Sequence, residues 1–129
     1  MQKRIEVLES YIEQQQLYLI AQPFKTEGKE IRDTAQMITD SDNVSFIYII
    51  DINDEFVYVS IPVNIWGNLK GALENNYDVC LKLNDRTVKL DGFLSELTYL
   101  IENIEGNANY GEHMVSKVEE VFLTRKSEL

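Results

Sequence analysis

Residues 45–61 hold the segment that most restricts what this chain can fold into. Phe46, Tyr48, Ile50 and Ile52 alternate with Ile47 and Ile49, and after Asn53-Asp54 the chain resumes with Phe56-Val57-Tyr58-Val59 up to Pro62. β-branched and aromatic runs on either side of a two-residue Asn/Asp turn predict an antiparallel hairpin. Both faces of its first strand are apolar, as expected of a central strand covered on two sides. Pro62 has no N–H to give to a ladder and ends the second strand. The fold must therefore contain a sheet.

The rest of the chain reads as companions to that hairpin. Val79, Leu81 and Leu83 share one face of a strand, Asn84-Asp85 turns the chain, and Val88 and Leu90 return it. Lys82 and Lys89 point the other way, giving a second hairpin with one wet face. Ile5-Val7 and Leu17-Tyr18-Leu19-Ile20, separated by Glu13–Gln16, suit a third hairpin at the N-terminus. Asn64 precedes Ile65, Trp66, Leu69 and Leu73, a short amphipathic helix weakened by Gly67 and Gly71. Ile31, Ala35 and Ile38 suggest another short helix over Glu30–Thr39. Asp91 is placed to cap a helix striped by Phe93, Leu97, Leu100, Ile101 and Ile104, with Gly106 to stop it. Met114, Val115, Val118, Val121 and Phe122 stripe a last helix. Three hairpins joined by helices predict an α+β fold: an antiparallel sheet with helices packed on one face, ending in two consecutive helices.

Length and charge bound the roles such a fold could play. The 129 residues suit one domain, 1–129. Lys plus Arg number 12 against 22 Asp plus Glu, a net charge of −10 and a pI near 4.5. That excess argues against direct capture of nucleic acid or of an anionic membrane, since each needs a cationic footprint. Cys80 is the single cysteine, so no intrachain disulfide forms. Glu6, Glu9 and Glu13 interrupt the apolar core a signal peptide would need, and no stretch is long enough to span a bilayer. A cytoplasmic location is the expectation.

Residues able to do chemistry are few. Asn103–His113 gathers three Asn, two Gly, Tyr110 and the single His between the last two helices. As a binding site it would offer Asn107, Asn109, Tyr110, Glu112 and His113 to a small ligand. Read more plainly, the same residues cap two helices and turn the corner between them. Trp66 is either an exposed contact residue or the side chain that seats a helix on the sheet. An unpaired edge of the N-terminal hairpin is another contact candidate. Asp40-Ser41-Asp42-Asn43 and Asp51–Glu55 open like calcium loops but lack the turn glycine, and Cys80 sits within a strand, so no metal, cofactor or catalytic set is assigned.

Four segments resemble a known family: Asp40-Ser41-Asp42-Asn43, the Phe46–Pro62 hairpin, Glu96-Leu97-Thr98-Tyr99, and Asn103-Ile104-Glu105-Gly106-Asn107-Ala108-Asn109-Tyr110-Gly111. Together they are similar to the YjbL-like family, small acidic cytosolic proteins of Gram-positive bacteria. The likeness is close over residues 40–123 and holds only in pattern before them. It implies a bacterial cytosolic single domain and brings no activity, substrate or catalytic residue. The expectation is a non-catalytic protein-interaction or regulatory module whose partner is another protein or a second copy of itself. The alternatives are a small-molecule binder or small enzyme using Asn103–His113, and an acidic nucleic-acid mimic built on carboxylates such as Glu6, Glu13, Asp51 and Glu55.

Overall fold

In the computed structural model, which describes residues 3–25 and 30–123, ten regular elements follow one another. They are β1 (Lys3–Glu13), β2 (Gln16–Ala21), β3 (Ile31–Asp40), β4 (Ser45–Ile52), β5 (Glu55–Pro62), α1 (Trp66–Asn75), β6 (Asp78–Leu83), β7 (Arg86–Lys89), α2 (Phe93–Ile104) and α3 (Glu112–Val118). The last helix widens into a π turn over Glu119–Leu123. All seven strands join one sheet in the order β3-β4-β5-β1-β2-β6-β7.

The three expected hairpins are present as β1–β2, β4–β5 and β6–β7. Each turns in two residues, and in two of the turns both residues share one conformation. Gln14 and Gln15 have φ of 51° and 65°, and Asn53 and Asp54 have 53° and 67°, so both residues of each turn are left-handed, as the right-handed twist of the flanking strands requires. The sheet itself is mixed and not antiparallel throughout. β1 runs parallel to β5, with Ile5 opposite Val59, and β2 runs parallel to β6, with Leu19 opposite Leu81. The cause is the route of the chain after β5. α1 carries it across the first hairpin, against which the helix packs, and sets β6 down on the far side. The N-terminal hairpin is thereby inserted at the centre, where β5 pairs Lys3–Glu6 of one edge and β6 pairs Gln16–Ile20 of the other, so the free edge expected of it is largely taken up.

The segment expected to be a helix over Glu30–Thr39 is instead β3, antiparallel to β4. Ile31, Ala35 and Ile38 imitate helical spacing because the strand is irregular between Asp33 and Gln36, which breaks its two-residue alternation. Ile31 and Asp33 face inward before the break, and Met37 and Thr39 after it, as their partners on β4 show. Ala35 sits at φ 55°, its N–H held at 2.8 Å by the Asp33 carboxylate, while Thr34 Oγ1 donates to the Ile49 carbonyl at 2.6 Å.

The inner side of the sheet and the three helices enclose one apolar cluster. Phe93, Leu97, Leu100, Ile101 and Ile104 of α2, and Met114 and Val118 of α3, enter it on the stripes read from the sequence. Helix entry differs from expectation. Neither Asn64 nor Asp91 caps through its side chain: a 3₁₀ turn at Val63–Ile65 leads into α1, and Gly92 stands at the α2 cap position. Gly92 is there because nothing larger fits, since a Cβ on it would lie 2.6 Å from Ala35 Cβ and 3.0 Å from Ala35 Cα. The Gly92 N–H donates to Asp33 Oδ2 at 3.2 Å, and the Tyr48 hydroxyl donates to Asp33 Oδ1. Asp33 thus ties the first strand of the sheet to the start of α2, and both α2 and β7 touch β3. The sheet curls until its two ends meet, with α2 beside the edge strand.

Gly92→Ala should lower stability by about 1–3 kcal/mol, the usual cost of overpacking a tight contact. Gly67→Ala, on α1 with nothing within 4 Å of the new methyl, should raise it by up to about 1 kcal/mol through helix propensity. Urea unfolding midpoints of the two variants against the parent check both signs.

Candidate functional site

The joint between α2 and α3 is held by its own polar groups. Asn103 Nδ2 donates to the Tyr99 carbonyl at 2.9 Å, and Asn107 Nδ2 to the Asn103 carbonyl at 3.2 Å. Asn107 Oδ1 accepts from the Asn109 N–H at 3.0 Å and so caps a 3₁₀ turn at Ala108–Tyr110. The Gly106 N–H reaches Glu119 Oε2 at 2.8 Å. Gly106 and Gly111 occupy φ of 64° and 93°, where a side chain would be strained. Gly111 lies against Ser41 in the turn between β3 and β4, so two of the segments singled out in the sequence meet in space.

An open groove of about 540 Å³ does lie at this joint, lined by Gly106, Ala108, Glu112, Val115, Ser116 and Glu119. Of the residues expected to bind a ligand, Glu112 alone lines it. The Asn107 side chain is engaged in the cap, Asn109 enters it through its backbone N–H and is exposed, Tyr110 packs half-buried against the core, and His113 is exposed on the first turn of α3. Trp66 has no exposed surface. Its ring packs 4.7 Å from Phe46 and 5.6 Å from Phe122, and Nε1 donates to the Ile61 carbonyl at 3.0 Å. The contact reading of Trp66 is corrected to a core residue that seats α1 on the sheet. Cys80 is buried, with Tyr18 and Lys89 as strand neighbours, and burial pushes its thiol above the ordinary value. Among the described residues no three His, Cys, Asp or Glu side chains are grouped to hold a metal ion.

The other side of the sheet carries a surface the sequence did not announce. Pairing registers place outward-facing residues of β3, β4, β5 and β1 in rows. One row is Ile38-Ile47-Ser60-Glu6 and the next is Gln36-Ile49-Tyr58-Arg4. Asp40-Ser45-Pro62 lies above them and Arg32-Asp51-Phe56 below. The helices contribute to the inner cluster, from which Ile47 and Ile49 are absent. Phe56 is 56% exposed, Ile38 45%, and Leu8, two residues beyond Glu6, 53%. Ile47 and Ile49 at the centre of the face are nonetheless buried, and the apolar side chains open to water stand toward its margins.

One ion pair organises this face. Arg4 Nη2 donates to Asp40 Oδ2 at 2.7 Å and to Ser60 Oγ at 3.1 Å, reaching from β1 to β3 above the buried Ser60. Asn43 Nδ2 donates to the same Asp40 oxygen at 2.8 Å, and its N–H reaches Oδ1 at 3.3 Å. The Asn43 amide first, and the Arg4 guanidinium with it, hold the Asp40 carboxyl below its ordinary value. Further along, Tyr11 and Tyr18 stack at 4.9 Å with the Lys82 ammonium 5.6 and 5.3 Å from their ring centres.

A carboxyl whose pKa is depressed on folding adds stability above its unfolded value and loses it as pH falls toward the folded one. At neutral pH Asp40→Asn should be less stable than the parent. The difference should shrink as pH drops from about 5 to about 2, the range in which an unpaired aspartate takes up its proton. Urea unfolding of both proteins across that range checks the convergence.

Comparison with known proteins agrees with the resemblance read from the sequence. The family model described as a family of unknown function, UPF0738, matches residues 5–122. The UPF0738 protein YjbL of Bacillus subtilis is 45% identical over 125 residues, covering 95% of this chain and all of the relative. A UPF0738 protein of Bacillus cereus is 41% identical over 123 residues, again 95% of this chain and all of that one. One from a Geobacillus species is 42% identical over 126 residues, 96% of this chain and the whole relative. No solved structure matches. Among the described residues no helix is long and apolar enough to cross a membrane. The chain belongs to the UPF0738 family.

Proposed function

We propose that the protein is a non-catalytic protein-interaction module and that the outer face of β3, β4, β5 and β1 is the surface it presents. The observation that carries this reading is the exposure of Phe56, Ile38 and Leu8, each close to half exposed or more, toward the margins of one sheet face that the helices leave uncovered. Large apolar side chains left in water on a sheet face are a feature of contact surfaces. Here they alternate with Arg4, Arg32, Glu6, Asp40 and Asp51.

The other readings draw less support. A ligand in the α2–α3 joint would meet caps that occupy the side-chain amides of Asn103 and Asn107, and the groove beside them is open. A nucleic-acid mimic needs its carboxylates aligned. Glu13 ends β1 at the turn into β2, whereas Asp51 and Glu55 lie beside the opposite end of that strand. Glu55 is moreover bonded by Lys3 at 2.6 Å.

Affinity capture from a Bacillus lysate tests the proposal when run on three baits. A protein retained by the parent and by a Tyr110→Phe, His113→Ala bait, yet lost from a Phe56→Lys bait, is the expected result. Loss from the joint variant with retention by Phe56→Lys would overturn it, as would no retained protein and no self-association on any bait.

A further inference from the structure

We infer that the groove between α1, α2 and the π turn docks a basic amphipathic segment of a partner protein, one that carries Lys or Arg beside apolar anchors. This surface is separate from the outer sheet face. Two hollows of about 320 and 410 Å³ share Leu73 of α1 and Thr98 of α2 and so form one continuous channel. Leu94 lies toward one end of it, and Ile101, Phe122 and Leu123 toward the other. Leu73, Leu94 and Phe122 are covered only in part, and Leu123 is 40% exposed. Along α2 the channel runs from Leu94 to Glu102, a length of about 12 Å at the helical rise, enough for two turns of a docked helix.

The charge on the α2 wall has one sign. Glu102 is part of the lining. Residues 91–116 hold five Asp or Glu and no Lys or Arg, so half of the net −10 falls on a fifth of the chain. The last turn of α2 has no basic residue; Glu102 stands in that turn and Glu105 at the C-cap. The carbonyl end of a helix carries partial negative charge, so carboxylates there are unfavourable until a cation reaches them. Among the described residues neither the Glu102 nor the Glu105 side chain has a hydrogen bond or ion pair. The cations that bracket this stretch in sequence are already engaged, Lys89 with Asp78 and Asp91, and Lys117 with Glu120. Local arrangements that oppose their own helix gather at functional sites.

Charge chooses the occupant. An acidic segment would fill the apolar floor at the expense of the carboxylates. A second copy of this chain, docked by the same surface, would press like charges together. A basic amphipathic segment satisfies both features: its apolar side chains seat against Leu73, Leu94 and Leu123, and its cationic groups meet Glu102 and Glu105 at the negative end of α2. Both carboxylates are exposed, so the complex should be of micromolar affinity or weaker and should loosen as salt rises.

Fluorescence anisotropy of labelled peptides of about 12 residues, long enough to span the channel as a helix, tests the inference on the full chain. One probe sets Leu and Lys on opposite faces, a second replaces its Leu by Ser, and a third replaces its Lys by Glu. The parent should bind the Leu/Lys probe at least tenfold tighter than either of the others. Glu102→Lys and Leu123→Ser, both at exposed positions, should each weaken that binding about tenfold. Phe56→Lys, on the outer sheet face, should leave it unchanged. Thermal melts by circular dichroism confirm that each variant is folded. No binding of the Leu/Lys probe by the parent would overturn the inference, as would equal binding of the Ser/Lys probe, since charge alone would then suffice. Binding that survives Glu102→Lys and Leu123→Ser but not Phe56→Lys would move the site to the sheet face. Self-association of the parent that Leu123→Ser abolishes would give the groove to a second copy and overturn the basic partner. The outer-face reading depends on Phe56 and is untouched by failure of this one.

Discussion

The Asp33 carboxylate carries more of this architecture than any other group. It accepts from the Tyr48 hydroxyl on β4, from the Ala35 N–H within its own irregular strand, and from the Gly92 N–H at the start of α2. Each bond constrains a different level of structure. The Ala35 bond stabilises a left-handed residue without glycine, the Tyr48 bond fixes where the break in β3 falls relative to β4, and the Gly92 bond brings the far end of the chain against the edge of the sheet. Burial, and then Asp33, push the Tyr48 hydroxyl above the ordinary range of tyrosine and so favour its role as a donor. The clasp fixes the start of α2 against β3, while Phe93, Leu97, Leu100, Ile101 and Ile104 seat the rest of the helix in the core.

Closure of the curl decides what faces water. Once α2 is drawn to β3, the helices share the inner side, and their large side chains converge there: Trp66 on Phe46 and Phe122, Phe93 on Tyr48. The outer side then has no layer of its own. Its central isoleucines are nonetheless buried, Ile47 at 4% and Ile49 at 7%, whereas the residues toward its margins stay open. A face that is dry in the middle and apolar at its margins follows from the strand count and the helix placement.

Much of the fold was legible because short-range chemistry dictates it. Two-residue turns between alternating runs define the three hairpins, and the stripes of α2 and α3 are continuous. The parallel pairings were not legible, since they depend on α1 crossing the first hairpin, and no local pattern records a crossover. β3 was misread because its break displaces the apolar residues into three- and four-residue spacing. Its identity as a strand comes from the exposed side of β4, a tertiary demand that overrides local propensity. Asn103–His113 was legible as a joint; the distribution of its bonds was not. Trp66 shows the same limit, since a tryptophan beside glycine suits an interface and a core equally well until its Nε1 partner is known.

The outer rows were hidden for a related reason. An apolar strand with two apolar faces reads as sandwiched between layers, and nothing in the sequence of β4 distinguishes cover by a second layer from cover by neighbouring side chains. Here the Arg4 guanidinium reaches from β1 to Asp40 on β3 and binds Ser60 on the way. Side chains alternate between faces with a period of two, so a one-residue slip of β1, β5 or β3 would send Arg4, Ser60 or Asp40 respectively to the inner side. The ion pair therefore ties together the registers of β1, β5 and β3. The same register sets Glu6 level with Ile38 and Arg4 level with Gln36, one row apart on β1. The residues that align the sheet also set the spacing of charges on its surface, so the pattern offered to a partner is fixed when the strands pair.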